Sequence, residues 1–165
     1  GAGVDFNSSG NVGFDLTVSP TTTPAQLMYG ALPASIAYTP GAAATTIASV
    51  TVPNVTGIWG VEITTVFQDG ASDGARASTS QVWIQRVAGA AAVGGVSGAG
   101  SFNITIGACD AGTITWSVGT VTGAVTAANV VPIQVAYALG NAVAGNIKNT
   151  FWKLLLATSD AVTVA

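Results

Sequence analysis

Apolar and polar residues alternate with a period of two in one segment after another along this chain, the spacing of strands that bury one face. Val12, Phe14, Leu16 and Val18 fall on one side, with Gly13, Asp15, Thr17 and Ser19 on the other. Trp59, Val61, Ile63, Thr65 and Phe67 likewise stand opposite Gly60, Glu62, Thr64 and Gln68. The same alternation places together Phe102, Ile104 and Ile106, then Ile114, Trp116 and Val118, then Ile133, Val135, Tyr137 and Leu139. Residues 46–52, 79–87 and 150–157 add further segments rich in Val, Ile, Thr and aromatics, which fit a pleated, half-buried surface. Turn signals such as Gln68-Asp69-Gly70 and Ser72-Asp73-Gly74 separate them.

Many short strands with one apolar face each imply two layers enclosing one core. The chain is therefore expected to be all-β, an antiparallel two-layer β-sandwich of jelly-roll-like type with eight or more strands. Residues 1–165 are read as a single domain, with 1–45 as a candidate N-terminal arm or attachment segment. The loops expected at 21–24 and 40–44 are ordinary ones. Residues 88–100 (AGAAAVGGVSGAG) are the stretch of lowest complexity, and their glycines argue against a stable helix. They are read as a flexible connection or a flat contact surface. Residues 124–131 have room for one helical turn, whereas 139–149 is interrupted by glycines and asparagines. No internal repeat and no charge block marks a second domain.

Charge changes the picture. Only 7% of the 165 residues are charged, against about 25% in an ordinary soluble domain. A surface of Ala, Gly, Thr, Ser and Val offers little repulsion between copies, and free monomers normally stay apart through such repulsion. The composition therefore points to an assembled subunit, the alternative being a secreted domain kept soluble by hydroxyl groups and glycans. Net charge is −3, and the four basic residues Arg76, Arg86, Lys148 and Lys153 form no phosphate-neutralising cluster. Nucleic acid is not an expected partner. Gly, Thr, Asn or Ser interrupts every hydrophobic stretch well short of the roughly 18 apolar residues of a membrane span. No membrane partner is expected. The opening Gly-Ala-Gly-Val has neither the basic nor the apolar region of a signal peptide, though a processed one would have been removed.

The residues that usually carry catalysis are scarce. The chain has no histidine and a single cysteine, Cys109. The usual serine or cysteine triads, histidine metal sites, thiolate zinc clusters and an immunoglobulin-type disulfide all fall away. Cys109 reads as a small buried apolar residue. Of the seven acids, only Asp69 and Asp73 lie close in sequence, each before a glycine. A weak calcium site is one reading of that pair. Tight hairpin turns, which Asp-Gly favours, are the better one. Glu62 lies mid-strand opposite the aromatic face, and no second carboxylate is named as its glycosidase partner. Gly94-Gly95 and Gly98-Ala99-Gly100 are followed by no Gly-Lys-Ser/Thr, which rejects a nucleotide loop. No catalytic residue, cofactor or metal is expected, and the chain is read as a non-enzyme. Asn7-Ser8-Ser9, Asn54-Val55-Thr56 and Asn103-Ile104-Thr105 are formal glycosylation sequons, relevant only in a eukaryotic secretory route.

Of the four tryptophans, Trp59, Trp116 and Trp152 are in phase with apolar neighbours and belong in the core. Trp83 is flanked at two-residue spacing by Gln81 and Gln85, with Val82 and Ile84 on the other face. Trp83, Gln81 and Gln85 are therefore the candidate contact residues, for a protein interface or for a glycan.

From about Ile47 onward the chain resembles a β-sandwich module of tailed-bacteriophage virion surface proteins, such as tail fibres, related appendages and capsid decoration proteins. The resemblance rests on VEITTVFQDG (61–70), VWIQRVAGAA (82–91), Trp116-Ser117-Val118, Ile133-Gln134-Val135 and TFWKLLLATSDAV (150–162). This chain departs from it in having fewer charges and an insertion at 119–131. The resemblance implies no catalytic residues. It implies a homo-oligomer, with a trimer favoured, and contact with other virion proteins or a host surface glycan. The expected function is thus a virion structural protein at the virion surface, either a decoration or an appendage subunit. The competing reading is an extracellular carbohydrate-binding module or bacterial surface adhesin.

Overall fold

The structure, a computed structural model, describes residues 3–6, 12–16, 25–32, 36–38, 44–69, 75–97, 102–106, 112–139, 145–159 and 162–165. Thirteen strands occupy them, in chain order β1 (Gly3–Phe6), β2 (Val12–Leu16), β3 (Ala25–Leu32), β4 (Ile36–Tyr38), β5 (Thr45–Val52), β6 (Gly57–Asp69) and β7 (Ala75–Arg86). After these come β8 (Val93–Val96), β9 (Phe102–Ile106), β10 (Gly112–Val118), β11 (Asn129–Leu139), β12 (Gly145–Ala157) and β13 (Thr163–Val164). Among the described residues there is no helix, and so none long and apolar enough to cross a membrane. The protein is all-β.

Every pairing is antiparallel, and the strands form two sheets. The larger runs β1-β2-β3-β12-β6-β7-β8, with β4 also on β12 and β9 also on β7; the smaller runs β10-β11-β5-β13. Their apolar faces meet in one core. From the large sheet come Trp59, Val61, Ile63 and Phe67 of β6, Val82 and Ile84 of β7, and Trp152 and Leu154 of β12. The small sheet answers with Val50, Val52, Ile114, Trp116, Val131, Ile133, Val135 and Val164. The alternation on β6 survives intact from Trp59 to Phe67: each inward residue is fully covered, while Glu62, Thr64 and Val66 on the other face are not.

Three extra residues break the alternation elsewhere. On β5 the register against β11 skips Ile47, so Ile47 and Ala48 are both buried in succession. On β12 the register against β6 skips Lys148 and then Leu155. Each bulge inserts one residue and turns the following side chains to the opposite face. Leu156 thereby points outward, opposite Gly60, and not into the core that Leu154 enters.

The core is not wholly apolar. Thr150, Thr65 and Ser78 form one transverse row across β12, β6 and β7, and all three are buried. The Trp116 Nε1–H crosses from the small sheet to donate to Ser78 Oγ at 2.8 Å, which satisfies the indole and ties the layers together.

The structure adds detail to two of the sequence readings. The Gly-rich stretch 88–100 is not simply a connection, since Val93–Val96 form β8 on the edge of the large sheet. A Cβ on Gly94 would lie 3.1 Å from Val131 Cγ1 and 3.3 Å from Val118 Cγ1, so the glycine lets this edge approach the small sheet. Residues 124–127 form a single turn, Ala127 N–H to Ala124 O at 3.0 Å, and Asn129 already begins β11. Strands β3 and β4 lie in a region the alternation did not single out, and β12 starts at Gly145, inside the stretch 139–149. The expected loop at 21–24 and most of that at 40–44 lie outside the described residues, as do Cys109 and Asp73.

Candidate functional site: the outer face of the large sheet

Strands β12, β6, β7 and β8 turn their second face away from the core, and their registers place its residues in rows. One row is Ile58–Gln85–Val93, and the next is Leu156–Gly60–Trp83–Gly95. Beyond them come Lys153–Glu62–Gln81 and then Phe151–Thr64–Thr79. Ile58, Trp83, Val93, Phe151 and Leu156 are all exposed, so a patch of large apolar side chains spans four strands of one face. Ile58, Leu156, Trp83 and Val93 occupy adjacent rows while Phe151 lies beyond the Lys153–Glu62 pair, and an exposed apolar group of this kind rimmed by polar residues marks a contact surface more often than scattered residues do.

Trp83 sits at its centre. It is 40% exposed, whereas Trp59, Trp116 and Trp152 are buried, at 0%, 7% and 3%. Its benzene ring lies over Gly60: Cζ3, Cη2 and Cε3 come within 2.6, 2.8 and 3.0 Å of where a Gly60 Cβ would stand. The absence of a side chain at Gly60 is what lets the ring lie against the sheet. Gln81 and Gln85 flank Trp83 on the same face, half-buried and exposed respectively. The structure thus brings the three candidate contact residues together and adds Ile58, Val93, Phe151 and Leu156 to them.

Electrostatically the face is self-neutralising. Lys153 Nζ lies 3.4 Å from Glu62 Oε1, a direct cross-strand pair next to the Trp83 row. Thr64 and Thr79 share a hydroxyl hydrogen bond of 2.7 Å one row further on. Glu62 is therefore paired with a cation, and among the described residues no group of acids, cysteines or histidines has the arrangement of a metal site.

A second built feature lies at one pole. Arg86 ends β7 facing inward and is 1% exposed, yet among the described residues no carboxylate forms an ion pair with it. Its Nε donates to Ala90 O at 3.0 Å. Nη1 donates to Val52 O at 3.2 Å and Pro53 O at 2.9 Å, and Nη2 donates to Val125 O at 2.9 Å and Ala127 O at 2.6 Å. All five guanidinium N–H groups are thereby used. Beside it Asn129 accepts from Ala92 N–H at 2.9 Å and donates to Ala124 O at 3.1 Å. Asn54 Oδ1 and Thr56 Oγ1 accept the amides of Gly89 and Ala88. These side chains lace the 53–56, 87–92 and 119–128 connections into one rigid end. The Asn54 of the sequon is thus engaged in the fold, Asn7 lies outside the described residues, and nothing is described of the Asn103 side chain.

No family model, curated protein or solved structure matches the chain. The outer face of the large sheet and the Arg86 pole therefore carry the functional reading on their own.

Period-two reasoning finds Trp83, Gln81 and Gln85 but not Phe151 and Leu156. TFWKLLLA is apolar at nearly every position, and only the skipped Leu155 decides which side Leu156 takes. Arg86 carries no local signal, because its partners are main-chain carbonyls contributed by three separate segments.

Proposed function

We propose that this chain is a non-enzymatic structural subunit that works by packing against copies of itself or other proteins. The carrying observation is the exposed apolar face formed by Ile58, Trp83, Val93, Phe151 and Leu156 on a chain with only 7% charged residues. Left in water, such a face is unfavourable by about 25 cal/mol for each Å² of apolar area, and a protein neighbour removes that cost. The two antiparallel sheets sharing one core fit the finer reading of a jelly-roll-like sandwich, an architecture common in shells and surface appendages. The narrower role is a subunit of a virion surface, as decoration or appendage, in a homo-oligomer contacting other virion proteins. It draws on the resemblance of residues 61–70, 82–91 and 150–162 and on the near-neutral surface. Light scattering across micromolar to sub-millimolar concentrations tests the core of the proposal: multimers are expected to form as concentration rises, and a monomer throughout overturns it.

A second reading is favoured by one feature, the exposed Trp83 between Gln81 and Gln85. An aromatic ring beside amide donors and acceptors suits a sugar, as in a secreted carbohydrate-binding module or adhesin. That reading requires a monomer that binds glycan and loses it with Trp83→Ala.

A further inference from the structure

We infer that the outer face of the large sheet pairs with the same face of a second copy across a two-fold axis, in a register fixed by Glu62 and Lys153. This rests on the proposed assembly role and names the partner and its geometry.

Isologous contacts demand that a surface be complementary to itself. Lys153 on β12 and Glu62 on β6 are direct cross-strand neighbours, equal in number and opposite in sign. An axis lying between the two sheets, close to the strand direction and midway between β6 and β12, exchanges these two columns. Each Lys153 then faces Glu62 of the second copy, and four alternating charges close at the centre of the contact. Any other register leaves each ion pair against uncharged residues, or sets like charges together.

The same operation acts on the apolar rows. Leu156 is the direct neighbour of Gly60, so exchanging the columns sets each Leu156 against Gly60 of the other copy, where the Trp83 ring already lies. A protruding aliphatic side chain thus lands on an aromatic surface and not on another protruding one. Phe151 is likewise set against Thr64, its smaller cross-strand neighbour. In the β12 and β6 columns of both rows large residues thus oppose small ones, as close packing of two sheets requires.

Size sets the strength. At about 4.8 Å between strands and about 3.3 Å per residue, the four strands β3, β12, β6 and β7, two on either side of the axis, by the seven residues from Ile58 to Thr64 cover about 450 Å² per copy before side-chain relief. That is near the lower limit for specific contacts. The pair is expected to dissociate on dilution and to be firm where many copies are held side by side.

The test uses the full chain with Glu62→Lys and, separately, Lys153→Glu, two positions outside the core, and sedimentation velocity with melting curves to show that each variant folds. Wild type is expected to form a two-chain species. Each variant alone, carrying four like charges at the contact, should associate about tenfold more weakly or worse. An equimolar mixture should regain wild-type association, because the two lysines on the face of one variant then meet the two glutamates on the face of the other. If wild type assembles while both variants match it, or the mixture stays apart, the pairing is overturned and the assembly role stands. A species of three chains alone likewise overturns the two-fold pairing. A wild type that is monomeric throughout overturns both.

Discussion

Trp83 and Gly60 face each other across β7 and β6, and the tryptophan ring occupies the space a Gly60 side chain would need, 2.6 Å from its Cβ position. The obstructing atoms are the far end of a movable side chain, not backbone. Gly60→Ala should therefore lift the ring off the sheet at a stability change within about 1 kcal/mol. Trp59, Trp116 and Trp152 are buried, so acrylamide quenching reports mainly on Trp83. Quenching should rise in the variant while self-association weakens. Unchanged quenching would show that the ring does not depend on Gly60.

Trp116 and Trp83 should respond differently to truncation. Trp116→Ala empties part of the core and strands the Ser78 hydroxyl, at a cost of about 3 to 5 kcal/mol. Trp83→Ala loses only the part of the ring that rests on the sheet, about 1 to 2 kcal/mol. It should nonetheless abolish most self-association. Denaturant titration of the two variants with a mass measurement separates these effects, and equal destabilisation would contradict the difference in burial.

The contrast between these tryptophans was legible in sequence because β7 alternates without a bulge between Ser78 and Arg86. The same holds for β6, whose inward and outward residues follow the alternation from Trp59 to Phe67. Where a bulge intervenes, period-two reasoning loses the face: Ile47 and Ala48 are both buried, and Leu154 and Leu156 point to opposite sides. Bulges are set by pairing with a distant strand, so no window of local sequence contains them. The arginine cage was illegible for a related reason, since Val52, Ala90 and Val125 share no pattern and meet only in the folded chain. The all-β class needed neither, because it follows from repeated alternation alone.

Gly123 holds a turn that other residues cannot. Its φ is +107°, and a Cβ there would stand 2.5 Å from Ala128 O, which is main chain and cannot swing aside. Gly123→Ala should cost about 1 to 3 kcal/mol. Gly95, on the exposed edge strand β8, has nothing within 4 Å of its Cβ position. Gly95→Ala should be neutral or stabilise by about 0.5 kcal/mol. Urea midpoints of the pair check the prediction, and similar losses at both sites would remove the steric argument.

Arg86 is predicted to be the residue on which the loop pole depends. Its buried guanidinium is held by five main-chain carbonyl dipoles, so removing it leaves acceptors from three segments without their donor. Arg86→Met keeps much of the stem but none of the donors, and should cost about 3 to 5 kcal/mol, as breaking a buried charged network typically does. Arg86→Lys supplies three donors from one point, cannot span carbonyls arranged around a planar fork, and should recover only part of that loss. The damage should be local before it is global. Amides held by the laced pole, those of Ala88, Gly89 and Ala92, should exchange hydrogen faster in both variants under conditions where the β6 amides remain protected. Exchange at those three positions equal to wild type, with stability reduced, would mean that Arg86 supports the core and does not organise the loops.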